Sequence, residues 1–262
     1  MTRYLSLLGV QLRVSAAAAM QYRANFLIEG VMTAAWMALT LLPLGVLFGG
    51  VKYLAGWDLP SALIVMAYFI GVHAVLEGIV SPSLVDLVER IRSGAFDYVL
   101  LKPVDAQFMV SASRYEPWKI IDLLAAIGLV IYAFVQRGSG PAPEDIALGV
   151  LLFVAGCIAM YSMWLVCASM SFWVVRLDNL VYLLGSIFDV ARWPVQVFRG
   201  IWRYVFTFIV PVAVMTTFPA MALLGRGSTK LVLATLGGAL LMLVFARLVW
   251  RTAIRNYTSA SS

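Results

Sequence analysis

The 262-residue chain is 63% hydrophobic and only 12% charged, and its formal net charge is +6. A soluble domain is usually near half apolar and a quarter charged, so this composition excludes an ordinary soluble protein and indicates one integral membrane domain. The basic residues form no cluster on a polar face, which excludes a nucleic-acid-binding function.

The first 25 residues predict a helix that lies at the membrane surface. Arg3 and the apolar residues that follow it resemble the start of a secretory signal peptide. Gln11 and Arg13 interrupt that apolar run, so we favour an interfacial amphipathic helix over residues 1–25.

Long apolar runs follow, and each meets or approaches the roughly 20 residues that a helix needs to cross a bilayer. We therefore predict an all-α integral membrane protein with about six transmembrane helices. The predicted spans are residues 26–48, 59–79, 118–135, 146–175, 179–193 and 231–250.

The segment 179–225 is apolar but interrupted by charged residues and prolines, and two arrangements fit it. In the first, a fifth span at 179–193 is followed by a re-entrant hairpin at 194–225, before span six. In the second, the chain up to Gly200 lies at the inner surface and residues 201–225 form the span. Irregular backbone at membrane depth needs shielding by protein or water, and the prolines and arginines here favour the first arrangement.

The distribution of basic residues predicts the orientation in the membrane. Lys and Arg concentrate on the cytoplasmic side of short loops. When both termini are placed in the cytoplasm, most of the 19 basic residues face inwards. Termini on the same side require an even number of crossings, which agrees with six spans.

The longest polar stretch, residues 80–117, is predicted to lie in the cytoplasm between spans two and three. Ser81 and Pro82 are favourable at the start of a helix, whereas Gly94 and Pro103 favour turns. The pattern between them predicts a short amphipathic helix, either a surface helix with solvated charges or a docking site for a soluble partner. Its apolar stripe consists of Leu84, Leu87, Val88 and Ile91.

The run from Glu89 to Phe108, ERIRSGAFDYVLLKPVDAQF, resembles the cytoplasmic-loop signature of the ABC-2 family of exporter permeases. The signature reads R-x-G-x-(F/L)-D-x-x-L-L-K-P-(V/L), and residues from Arg92 to Pro103 fill its positions. The resemblance implies six spans, an N-terminal interfacial helix, a cytoplasmic coupling helix between spans two and three, and a re-entrant hairpin before span six.

The resemblance also implies a function. The chain would be the permease subunit of an ATP-driven exporter in the bacterial inner membrane, moving a hydrophobic or amphipathic drug, antibiotic or lipid outward by alternating access. The sequence has no G-x-x-x-x-G-K-[ST] phosphate loop, so ATP and Mg²⁺ are expected on a separate ATPase. Two ATPase copies would work with two permeases, which are identical or paralogous.

The chain itself is expected to be no enzyme and to bind no cofactor, metal or nucleic acid. The alternatives are an intramembrane enzyme and a passive channel or structural membrane subunit. The resemblance places the contact with the ATPase on the polar loop. The residues expected to couple to the ATPase are Leu84, Leu87, Val88, Glu89, Arg90, Arg92, Phe96, Asp97, Leu100, Lys102 and Pro103.

Four ionisable residues in the predicted spans are candidates for polar groups along a transport path: Glu29, His73, Glu77 and Asp189. A charge at the bilayer centre costs roughly 2.5–3.5 kcal/mol, so such groups should face protein or water. His73 and Glu77 are four residues apart and share one helix face. The alternatives are an interfacial position for Glu77 and an interhelical hydrogen bond for His73.

Overall fold

A computed structural model describes residues 2–20, 23–173 and 184–257 of the chain. Within these residues the regular structure is helical and no strand occurs. Five helices are long and apolar enough to cross a membrane, or six if one bent pair of helices forms a single span. This confirms the predicted all-α membrane fold. The five candidate spans are Gly30–Gly50, Leu59–Arg92, Pro117–Arg137, Pro143–Phe172 and Thr229–Arg255.

The α-helices are numbered here in chain order over the described residues, with short 3₁₀ and π turns between some of them. They are α1 Thr2–Met20, α2 Arg23–Gly50, α3 Leu59–Val75, α4 Ser81–Arg92, α5 Asp97–Leu100, α6 Ala106–Ser111, α7 Ile120–Arg137, α8 Pro143–Ser169, α9 Ile201–Tyr204, α10 Phe218–Leu223 and α11 Thr229–Arg255.

The core of the bundle is built around α3. Most of the side chains in the apolar part of this helix are buried inside the protein, whereas those of α2, α7 and α11 are mostly on the outside. The helix α3 packs chiefly against α7, and α8 packs against α11 and α10. The outer faces carry exposed Leu, Ile and Val side chains, as expected for helices in contact with lipid.

Glycine permits one especially close approach in the core. A β-carbon at Gly156 of α8 would lie 2.9 Å from the Met215 α-carbon and 3.0 Å from its carbonyl oxygen. The backbone of α8 therefore touches the backbone of the π turn Ala213–Thr217, which only a residue without a side chain allows.

The second predicted span and the polar loop are joined more directly than the sequence suggested. The π turn Leu76–Val80 connects α3 to α4, so residues 59–92 form one helical run of 34 residues. Ser81 makes no capping hydrogen bond and lies within the run. At 1.5 Å per residue the run is about 51 Å long, whereas the hydrocarbon core of a bilayer is about 30 Å thick. The run is therefore longer than the hydrocarbon core is thick.

The proline-interrupted segment forms two arms. Residues Ile201–Ile209 and Ala213–Leu223 meet at an angle of 71° across a short break that contains Pro211. The first arm is largely exposed and the second is largely buried. This bent pair is a broken span or a re-entrant loop, and both arrangements considered from the sequence contain it. The predicted span at 179–193 lies partly outside the described residues.

The bundle has two distinct ends. One end, here called the loop end, holds α4 to α6, and α1 reaches it because the Tyr4 and Phe108 rings pack edge to face at 4.8 Å. The final residues of α11 lie there too, so both ends of the described chain share this side. At the opposite end, the Arg226 guanidinium lies 5.6 Å from the Trp57 ring.

Candidate coupling site at the loop end

The stripe of apolar residues predicted on α4 faces the protein. Leu84 and Leu87 are buried in the core. On the outer side, Arg90 donates a hydrogen bond of 2.7 Å to Asp86, one turn earlier. The amphipathic pattern therefore reflects packing within the chain on one face and solvent on the other.

The two ends of the polar loop are fastened together beside α4. The Ser83 hydroxyl donates to the Arg114 carbonyl at 2.8 Å and accepts from the Arg114 N–H at 3.2 Å. The Glu116 N–H donates to the Gly78 carbonyl at 2.8 Å. These contacts hold the loop as a compact unit against the end of the long helix.

A tight turn after α4 directs Phe96 inward. Gly94 has φ 75°, a conformation that glycine adopts readily, and the Phe96 N–H donates to the Arg90 carbonyl at 3.0 Å. The Phe96 ring is fully buried in an aromatic cluster. Its ring neighbours, with centroid distances of 5.3, 6.2 and 5.3 Å, are Phe172, Trp250 and Tyr257.

The next residues form an exposed tip. The side chains of Tyr98 and Leu101 are 72% and 79% exposed, and Leu100 is 41% exposed. Lys102 and Pro103 are exposed beside them. We call residues 98–103 the loop tip, because they present apolar side chains outside any candidate span.

After the tip, a charged contact ties the loop to the last span. Asp105 caps α6 by accepting a hydrogen bond of 3.1 Å from the Phe108 N–H. The Arg247 guanidinium of α11 donates to both carboxylate oxygens of Asp105. These hydrogen bonds lower the pKa of Asp105 below its usual value.

The same network reaches a third helix. Arg247 also donates to the Gln107 side-chain oxygen, and the Gln107 amide donates to the Tyr161 hydroxyl of α8 at 3.0 Å. Ser111 shares a 2.7 Å hydrogen bond with that hydroxyl. We call these five residues, Asp105, Gln107, Ser111, Tyr161 and Arg247, the latch.

The sequence did not predict the latch. The available signal was Arg247, a cation inside an apolar span that needs a partner. Its partner could not be read from the sequence because it lies 142 residues away.

The predicted coupling residues fall into three groups by exposure. Leu84, Leu87 and Phe96 are buried, and Val88, Arg90 and Asp97 are half-buried. The exposed ones are Glu89, Arg92, Leu100, Lys102 and Pro103. Only the exposed group can present a large part of its surface to another protein, and contact with an ATPase stays a prediction for all of them.

A second feature lies against the inner face of α4. A cavity of about 640 Å³ is enclosed by α2, α3, α4, α8 and residues 184–189. Three of the four proposed transport-path residues line it, namely His73, Glu77 and Asp189. The side chain of the fourth, Glu29, lies outside the described part. We call this space the loop-end cavity.

Two of these three residues have close partners. The His73 ring stacks on the Trp36 ring at a centroid distance of 4.9 Å, so it packs among aromatic side chains. Asp189 forms a 2.8 Å ion pair with Arg192. In the described ranges, no group of three or more His, Cys, Asp or Glu residues is placed to hold a metal ion.

Comparison with known protein families identifies one match. Residues 34–261 match the family model described as ABC-2 family transporter protein, and the match therefore covers α3 to α11, the loop tip and the latch. No curated protein and no solved structure matches the chain.

Proposed function

The chain belongs to the ABC-2 family of transporter proteins, and from this premise we propose that it is the permease subunit of an ATP-driven exporter. It is a multi-pass membrane protein and a membrane transport subunit. In our proposal two copies of a separate ATPase bind two permeases, identical or paralogous, in the bacterial inner membrane. The loop end then faces the cytoplasm, and a hydrophobic or amphipathic substrate moves outward.

The observation that carries this proposal is the exposed apolar loop tip on a firmly held frame. Large apolar side chains in water are unfavourable, and at an interface they become the centre of the contact. Here Tyr98 and Leu101 project from a loop that is held on both sides of the tip. The buried Phe96 ring precedes the tip, and the hydrogen bonds of Asp105 follow it. Lys102 and Arg92 flank them with positive charge that an acidic partner surface would complement.

The frame also supports transmission of movement. The long α3–α4 run links the loop to the centre of the bundle, the Phe96 cluster links it to α11, and the latch links it to α8 and α11. A rigid-body displacement of the tip by an ATPase would therefore shift several spans together. That is the mechanical requirement of alternating access.

ATP hydrolysis is assigned to the partner because the sequence has no phosphate loop. In that arrangement the ATPase holds ATP and Mg²⁺, and this chain supplies only the moving membrane part. The competing functions are a passive channel or structural subunit, which would need no docking tip, and an intramembrane enzyme. If that enzyme were a serine protease, His73 would have to act as the base, and its ring is packed against the Trp36 ring instead.

The test introduces a negative charge at the tip. Leu101→Glu should weaken assembly with the ATPase by at least tenfold, since a residue at the centre of an interface contributes about 2 kcal/mol or more. Tyr53→Glu is the matched control, because Tyr53 is 70% exposed at the opposite end. The measurement is the yield of ATPase co-purified with each full-length variant. Equal yields from both variants would overturn the docking assignment.

A further inference from the structure

The loop-end cavity has the size and walls of a small-molecule site. Its volume of about 640 Å³ lies within the roughly 300–1,000 Å³ typical of ligand pockets. Trp36, Trp164 and Phe188 supply large aromatic surfaces, and Leu76 and Leu84 add aliphatic ones. Such walls fit a ligand with a rigid apolar body.

The positive and negative charges of the described residues around the cavity do not cancel. Glu77 lines it, and among the described residues its carboxylate has no hydrogen bond or ion pair. The two nearby charge pairs are neutral in sum, since Asp189 binds Arg192 at 2.8 Å and Lys119 lies 3.5 Å from Asp122. Among the described residues, Glu77 is therefore the uncompensated charge of the deep part.

The charges at the mouth do not change this balance. Glu89 and Arg92 both line the cavity where it meets α4, and both are exposed. Their charges are opposite, so together they add nothing to the sum. A lone, half-buried carboxylate is costly, and a positive charge beside it offsets that cost.

The aromatic walls of the cavity also favour a positively charged ligand. The His73 ring stacks on Trp36 at 4.9 Å, and Phe188 stacks behind it at 6.5 Å. The faces of aromatic rings attract cations through their quadrupole. A neutral ligand would leave Glu77 uncompensated, and an anion would add a second negative charge.

We propose that the loop-end cavity binds a lipophilic monocation, with its charge beside Glu77 and its apolar body against Trp36 and Trp164. The proposal rests on the proposed function, because it names the substrate class that the exporter takes from the loop end. One wall of the cavity is α4, so movement of the loop tip would reshape the site directly.

The test uses a pair of ions with the same shape. Tetraphenylphosphonium and tetraphenylborate are similar in size and opposite in charge. The full-length chain, in phosphatidylcholine nanodiscs, should bind the phosphonium saturably, with empty nanodiscs as the background. The borate should bind at least about tenfold more weakly, because it meets Glu77 with like charge.

Single substitutions identify the carboxylate that attracts the phosphonium ion. Glu77→Gln should weaken phosphonium binding about tenfold, as expected for loss of a nearby opposite charge. Glu89→Gln, at the exposed mouth, should weaken it about threefold, because solvent screens this charge. Glu116→Gln is the matched control, since Glu116 is exposed and lies outside the cavity, and it should bind as the wild type does.

Equal binding of both ions, or wild-type affinity in Glu77→Gln and Glu89→Gln together, would overturn the assignment. A folding failure of Glu77→Gln is detected by gel filtration, and Glu89→Gln then decides the outcome. Failure here is distinguishable from failure of the proposed function. A chain that assembles with its ATPase but prefers the borate keeps the function and loses the substrate class.

Discussion

Arg247 and Asp105 connect the last span to the polar loop through two parallel hydrogen bonds. Such bidentate pairs are stronger and more directional than single ion pairs. Here about a third of each side chain is exposed, so solvent screens part of the attraction. The main contribution of this pair is therefore geometric, because it holds α6 at a defined position on α11.

Asp105→Asn should lower the free energy of unfolding by about 1 kcal/mol, a value discounted for solvent exposure. Asp86→Asn, which removes a pair within a single helix, should cost about 0.5 kcal/mol or less. Thermal unfolding of both variants in the same detergent compares them. An equal loss would show that the latch is an ordinary surface contact.

The pH dependence of this contact has a definite sign. Arg247 lowers the folded-state pKa of Asp105, so its stabilisation is complete above the unfolded value of about 3.9. It is lost only as the pH falls through the lower folded value. The stability difference between the wild type and Asp105→Asn should therefore be constant from pH 7 to about pH 5. A difference that disappears within this range would contradict the assigned ion pair.

Phe96 shows how far residue-level prediction could go. The sequence identified it as part of the coupling loop, because its position matches the family signature. It could not show that the ring points inward, because the cluster partners come from residues 76 to 161 positions later in the chain. The exposed neighbours Tyr98 and Leu101 are the side chains left for a partner.

Phe96→Ala should destabilise the protein by about 3–5 kcal/mol, as for other large buried aromatic residues. Tyr98→Ala removes a ring of similar size that is 72% exposed, so its effect should be within about 0.5 kcal/mol. Chemical unfolding monitored by tryptophan fluorescence distinguishes the two. If both variants unfold at the same denaturant concentration, the aromatic cluster does not anchor the loop.

At the scale of elements, hydrophobicity and length predicted the all-α membrane fold. The predicted limits 59–79 and 231–250 fall within the helical runs that the structure shows, since apolar length alone decides whether a helix can cross. The helix α4 begins at Ser81 with Pro82 in its first turn, as the sequence indicated. The sequence did not show that the π turn Leu76–Val80 joins α4 to α3 without a break, in a run that packs against α8.

The packing of α8 on the π turn Ala213–Thr217 is a sharp test of the element arrangement. Gly156→Ala should lower the melting temperature, because the new methyl group meets backbone atoms at 2.9–3.1 Å and overpacking costs about 1–3 kcal/mol. Gly128→Ala is the control on α7, where nothing lies within 4 Å. It should leave the melting temperature unchanged or raise it, since alanine favours helix. A lower melting temperature in the control alone would contradict this packing.

For the molecule as a whole, the arrangement brings two proposed sites together at one end. In our proposal the loop tip meets a soluble partner, and the loop-end cavity lies directly behind α4. The sequence singled out the polar loop and three of the residues that line the cavity, because ionisable residues inside apolar runs are easy to recognise. It could not predict that α4 both carries the loop and forms a wall of the cavity. The other walls come from distant parts of the chain, namely α2, α8 and residues 184–189.

The most direct test of the account is photocrosslinking from the loop tip in native membranes. A benzoylphenylalanine residue at position 101 should crosslink to a polypeptide that mass spectrometry identifies as an ATPase with a phosphate loop. The same residue at position 53, on the opposite end, should give no such product. An ATPase crosslink from position 53, or none from position 101, would contradict the assignment of the loop end as the coupling site.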